Sequence, residues 1–142
     1  MLVRAVLVAV CVAAIVFGAT RLHRDDTCES TRSAIVTALF HHQEPPGGLA
    51  KQQQRLVDNC RDASVIAFVS TVETTAGRTG PASALARKVT RDEPHNRIGW
   101  VALAQALQNT DPQGSKAAAA RAKALNPRGA VPAAGGAARR TS

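Results

Sequence analysis

Apolar positions fall into one N-terminal block followed by six short stripes at helical spacing. From Ala5 to Ala19 no charged residue occurs, and with Met1, Leu2 and Val3 around Arg4 the run reaches nineteen residues. A bilayer core takes about 20 helical residues, so the block is just long enough to span, with Arg4 reaching toward the headgroups. Downstream, Asp26 with Glu29 three positions on reads as a capping box for a helix from Thr27 to about Gln43, with Ile35, Ala38, Leu39 and His42 on one face. Pro45-Pro46-Gly47-Gly48 is the strongest turn signal in the chain. Leu49 to Arg61 then repeats a weaker stripe through Leu49, Leu56 and Cys60, with Lys51 and Arg55 toward solvent. Asp62 caps a third helix in which Val65, Val69, Val72 and Ala76 share a face that Phe68 broadens, and Gly77 is placed to end it in the left-handed conformation.

Gly80-Pro81 restarts the chain with proline at the first helical position, and Ala82, Leu85, Ala86 and Val89 follow at i, i+3, i+4 and i+7 before Pro94. Asn96 caps a fifth helix with Trp100, Leu103, Ala104 and Leu107 at the same spacing. Asp111-Pro112 supplies the cap and first-turn proline of a sixth, in which Ser115, Ala118, Ala119, Ala122 and Leu125 turn inward and which Pro127 stops. The chain thus predicts an all-α fold, an N-terminal transmembrane helix followed by about three stacked helical hairpins. Residues 1–20 are the transmembrane signal anchor, 21–127 the helical domain and 128–142 a disordered basic tail with too little apolar surface to bury.

Composition narrows how such a domain packs and where it sits. Beyond the N-terminal block the aromatics are Phe40, Phe68 and Trp100, while Ala fills 28 of 142 positions, so one small interior must be built on close backbone approach. A cleaved secretory signal is the alternative to an anchor. A cut after Ala19 puts Phe17 where a small residue is wanted, leaving Val16-Phe17-Gly18 as the passable site, and Val10 before Cys11 does not fit a lipoprotein leader. Arg4 and the amino terminus on one side face Arg21 and Arg24 on the other, so charge does not set orientation. Cysteine does. Cys11 reads as a small apolar residue, whereas Cys28 and Cys60 lie symmetrically about the Pro45-to-Gly48 turn, so antiparallel helices bring them together at the open end. Against two unrelated buried thiols this symmetry favours a disulfide, and a disulfide belongs to an oxidising compartment. The expected protein is single-pass in the cytoplasmic membrane, its domain extracytoplasmic.

Trp100-x-x-Leu103-Ala104-x-x-Leu107, then Ser115, Ala119, Ala122 and Pro127, resembles the tetratricopeptide repeat, with Ala for Gly, Leu for Tyr and a one-residue deletion. The preceding unit, with Val69, Ala82, Ala86, Val89 and Pro94, is similar but weaker, and the unit holding both cysteines matches as a helical hairpin alone. The resemblance covers about residues 62 to 127 and implies a right-handed stack of helix pairs. It also implies a concave face, lined by the first helix of each pair, that takes a protein or peptide. Arg97, Gln105 and Gln108 are the candidate partner-binding residues there, joined by Ser70 and Glu73, which makes the expected face polar and mildly basic. Leu107 and Ala119 replace larger family residues, which narrows the expected groove.

Catalytic chemistry is not indicated. No Gly-x-Ser-x-Gly, His-Glu-x-x-His or phosphate loop occurs, and both cysteines of the domain are taken by the proposed bridge. His41 and His42 beside Glu44 point about 100° apart on a helix and make no metal set. No enzyme activity, cofactor, metal or small-molecule substrate is therefore expected. Beyond the apolar block the net charge is +7, concentrated in the C-terminal half at Arg87-Lys88, Arg91, Arg97, Lys116, Arg121, Lys123, Arg128 and Arg139-Arg140. Nucleic acid is not the expected partner, since those stretches lack stacking aromatics. The expected function is a membrane-anchored scaffold for protein interaction, with envelope or surface-polysaccharide assembly as its setting. The alternative is a basic module for anionic envelope polymers or lipid headgroups.

Overall fold

The computed structural model describes residues 2–128, and between 2 and 25 the side chains of Val10, Cys11, Ala13, Ala14, Val16 and Phe17 alone. Six helices follow in order: α1 (Leu2–His41), α2 (Leu49–Asn59), α3 (Ala63–Thr75), α4 (Thr79–Asp92), α5 (Arg97–Leu107) and α6 (Pro112–Leu125). Among the described residues there is no strand, as the all-α reading expects. Successive helices pair as hairpins, α1 with α2, α3 with α4 and α5 with α6, and the pairs stack through α4 on α5, α3 on α5 and α1 on α3. The odd-numbered helices therefore lie side by side.

Local chemistry accounts for most boundaries. Asp62, Asn96 and Asp111 cap α3, α5 and α6, accepting from the backbone N–H of Ser64, Ile98 and Gly114. Bonds from the Ser64 hydroxyl and backbone hold the Asp62 carboxyl below its usual range. The cap's contribution is thus present above the ordinary carboxylate range and lost as pH falls through the lowered value. Gly77, at φ 78°, ends α3 in the left-handed region.

Three boundary expectations are corrected. Asp26 is not an N-cap: no glycine or proline interrupts residues 19–44, so α1 continues unbroken, and Glu29 pairs instead with Arg32 a turn on. His42 leaves the helix at φ 53° and is exposed rather than on the inner face. The fourth helix starts at Thr79, two residues before Pro81, because proline is tolerated anywhere in a first turn whose N–H groups lack intrahelical partners. Among the described residues no helix is long and apolar enough to cross a membrane. The span expected over 1–20 falls largely on side chains outside the description, and of the tail expected over 128–142 the description reaches Arg128.

Ile35, Leu56, Ile66, Val69, Leu85, Val89, Leu103 and Leu107 form one core with Ala67, Ala86, Ala102 and Ala118 between them. α5 approaches α4 closely at Gly99, where a Cβ would stand 2.5 Å from Cγ1 of Val89. Cys28 and Cys60 are bonded, their Cα atoms 5.0 Å apart, joining α1 to the end of α2 across 32 residues.

Two predictions follow from this packing. Cys28→Ala and Cys60→Ala should each cost about 3 to 4 kcal/mol, and the double change little more, as measured by denaturant unfolding with and without reductant. Gly99→Ala should destabilise by roughly 1 to 2 kcal/mol, since overpacking against Val89 outweighs the better helix propensity of Ala. Adding Val89→Ala should then cost less than the sum of the two single changes in the same unfolding measurement.

Candidate partner-binding face

Each odd-numbered helix buries one arc in the core and leaves another open. The open arcs carry Arg32, Val36 and Phe40 on α1, Phe68, Val72 and Thr75 on α3, and Ile98, Val101 and Gln105 on α5 with Gln108 just past its end, each at helical spacing. Side-chain contacts align them. The Arg32 guanidinium lies 5.8 Å from the centre of the Phe68 ring, and Thr71 Oγ1 lies 3.5 Å from Gln105 Oε1. Between α1 and α3 runs a groove of about 290 Å³, lined by Leu39, Phe40 and His42 on one side and Thr71, Val72 and Thr75 on the other. Phe40 is 70% exposed at its lip, and Phe68 and Ile98 are exposed by 47% and 52%. Burying such side chains stabilises by about 1.5 to 3 kcal/mol each, an energy available to a partner because the fold leaves it unused.

The sequence-predicted residues separate into two sets. Arg97 and Gln105 are half-buried on α5, and Gln108, half-buried, is the residue that follows its last turn. Ser70 and Glu73 are not on that face, because both are completely buried. α3 is covered by α1, α4 and α5 together, so its buried arc is wide and centres on Ile66, Val69, Ser70 and Glu73, while Phe68 and Ala76 turn outward. Ser70 Oγ donates to the carbonyl of Ala82 at 2.8 Å. The Glu73 carboxylate accepts from the Gln53 amide on α2 and from Arg78 Nε at 2.6 Å, so its burial is matched by a charge and two hydrogen bonds.

Of the repeat-packing residues, Leu103, Ala104, Leu107 and Ala122 are buried and Ala119 is half-buried. Trp100 is half-buried and its indole N–H donates to the carbonyl of Pro94 at 2.9 Å. Pro127 is exposed, since α6 has already ended at Leu125. His41, His42 and Glu44 are exposed, and among the described residues no three His, Cys, Asp or Glu converge as a metal set. Sequence reasoning missed Phe40 and Val36. The signal for them was a large apolar residue standing off the Ile35–Ala38–Leu39 stripe, one and two turns beyond Arg32.

Comparison with family models, with curated proteins and with solved structures finds no match to this chain.

The exposed side of Arg78 and the complete burial of Glu73 make the pair asymmetric. Arg78→Ala should cost about 3 kcal/mol, because it leaves a buried carboxylate without its cation, and Glu73→Gln added to that variant should recover part of the loss. Urea unfolding of the unaltered protein and the two variants checks both outcomes.

Proposed function

We propose that the protein is a membrane-anchored scaffold of tetratricopeptide-like helix pairs whose α1–α3–α5 face takes a protein or peptide partner outside the cytoplasm. The observation that carries the reading is the groove beside Phe40: a depression lined by Leu39, Phe40 and Val72 with the hydroxyls of Thr71 and Thr75, Gln105 lying against Thr71 and Phe68 exposed a turn before Val72. Such a surface suits a peptide with one or two large apolar anchors and a polar backbone.

Repeat character is supported by register. Ile66, Val69, Ser70 and Glu73 stand 34 residues before Trp100, Leu103, Ala104 and Leu107, and all eight are buried or half-buried. Thr71 and Gln105, side by side across the stack, have the same separation of 34. Three helix pairs are about the minimum for a stable stack. The anchor is supported by the nineteen-residue apolar run, and the compartment by the Cys28–Cys60 bond, since such bonds persist where thiols are not kept reduced.

A second reading has its own observation. Arg87, Arg91, Arg121 and Lys123 are exposed on the even-numbered helices α4 and α6, away from the groove, as binding to an anionic polymer or lipid surface requires.

A photocrosslinking residue at Phe40 should trap one discrete partner in intact cells, and Val72→Asp should reduce that product about tenfold or more without lowering thermal stability. The same crosslinker at Arg121 should give no such band. A product from Arg121 alone, abolished by moderate salt, would favour the electrostatic reading. Thiol or protease accessibility in intact spheroplasts tests the topology, and protection of the domain until lysis contradicts it.

A further inference from the structure

The hairpin topology sorts the charged residues by end of the stack. Helices α1, α3 and α5 run one way and α2, α4 and α6 return, as the Cys28–Cys60 bond, the crevice shared by Asp58, Arg61, Lys88 and Asp92, and the Ser115 bond to Ala104 require. One end therefore gathers segments 26–32, 55–64, 87–97 and 121–128, which hold ten Lys and Arg against six Asp and Glu. The opposite end gathers segments 42–54, 73–80 and 108–116, which hold three of each. The excess charge of the helical stack sits at one end, the end where α1 enters. Arg61, Arg87, Arg91, Arg121, Lys123 and Arg128 are all exposed there.

α1 is a single helix from Leu2 to His41, so the height of that end above the apolar run is fixed. From Ala19 to Cys28 is nine residues, or about 14 Å at 1.5 Å per residue. The headgroup layer takes about 5 to 8 Å of this, leaving a gap of roughly one Debye length at physiological salt, across which basic side chains reach.

Resting on the anchored reading, we infer that the α1-entry end of the domain is a headgroup-binding surface that seats on the anionic lipid of the membrane holding the anchor. The groove beside Phe40, at the far and electrically balanced end, is thereby held away from the bilayer and open. The occupant is lipid rather than a soluble polyanion, because the cations face the same way as the apolar run and stand about one Debye length from the headgroup layer.

Trp100 is the chain's one tryptophan, a turn from Arg97 at this end, and reports the seating directly. The full-length chain is reconstituted into vesicles of phosphatidylcholine, alone or with about 30 mol% phosphatidylglycerol, each doped with headgroup-nitroxide lipid. Quenching of Trp100 should rise about twofold or more with the anionic lipid and return to the zwitterionic level at about 0.5 M salt. Arg87→Glu with Arg91→Glu and Arg121→Glu should abolish the rise, whereas Lys51→Glu with Lys116→Glu at the far end should leave it. A chain integrated into both vesicles with equal quenching overturns the headgroup surface and keeps the anchor. Binding to anionic vesicles that salt strips completely keeps the surface and removes the anchor. A response to soluble polyphosphate with none to the anionic bilayer overturns the surface in favour of polymer binding.

Discussion

The packing of α3, α4 and α5 on one another, with Ala67, Ala82, Ala86 and Ala102 buried and Gly99 set against the Val89 side chain, is the constraint on which the rest of the molecule depends. With few large apolar residues in the helical domain, dispersion energy has to come from short interhelical distance rather than from bulky side chains. Short distance leaves no slack at the crossings. It also leaves the few large side chains unneeded inside. Phe40, Phe68 and Ile98 stand off the buried stripes of their helices and are exposed, an apolar surface that a partner could cover.

A core of small residues is poorly specified by shape, since alanines slide past one another at little cost. Polar pins supply the missing register. Ser70 bonds across to the Ala82 carbonyl within one hairpin, and Ser115 to the Ala104 carbonyl within the next, at 2.8 and 2.7 Å. Each fixes the axial offset of two helices at one point and leaves no buried hydroxyl unpaired. Glu73 pins at a larger scale, tying α2 through Gln53 to the α3–α4 turn through Arg78 and so setting the first unit against the second.

Element type and most boundaries were legible because capping acts locally: Asp62, Asn96 and Asp111 announce their helices through bonds within three residues. The disulfide was legible because a turn and a symmetric spacing suffice to place two cysteines. The face was read in part. Gln105 and Gln108 lie where spacing puts them, but whether position 70 or 73 faces in or out depends on how many neighbours α3 has, which no window along the chain contains. Glu73, expected on the open face with Ser70, is held inside by Arg78 five residues on and Gln53 twenty residues before. The missing cap at Asp26 has the converse cause: a start signal is effective where the preceding chain is free to leave the helix, and residues 19–44 hold nothing to end one.

The bond from Cys28 to Cys60 encloses the Pro45-to-Gly48 turn within its loop. The covalent graph of the domain therefore contains a cycle, and α1 is attached to the remaining helices by two independent routes, peptide and sulfur. A protease that severs the backbone inside this cycle opens the ring without dividing the molecule. The nicked protein gains one water, stays a single covalent molecule with α1 beside α2, and yields two fragments only when a reductant cuts the second route.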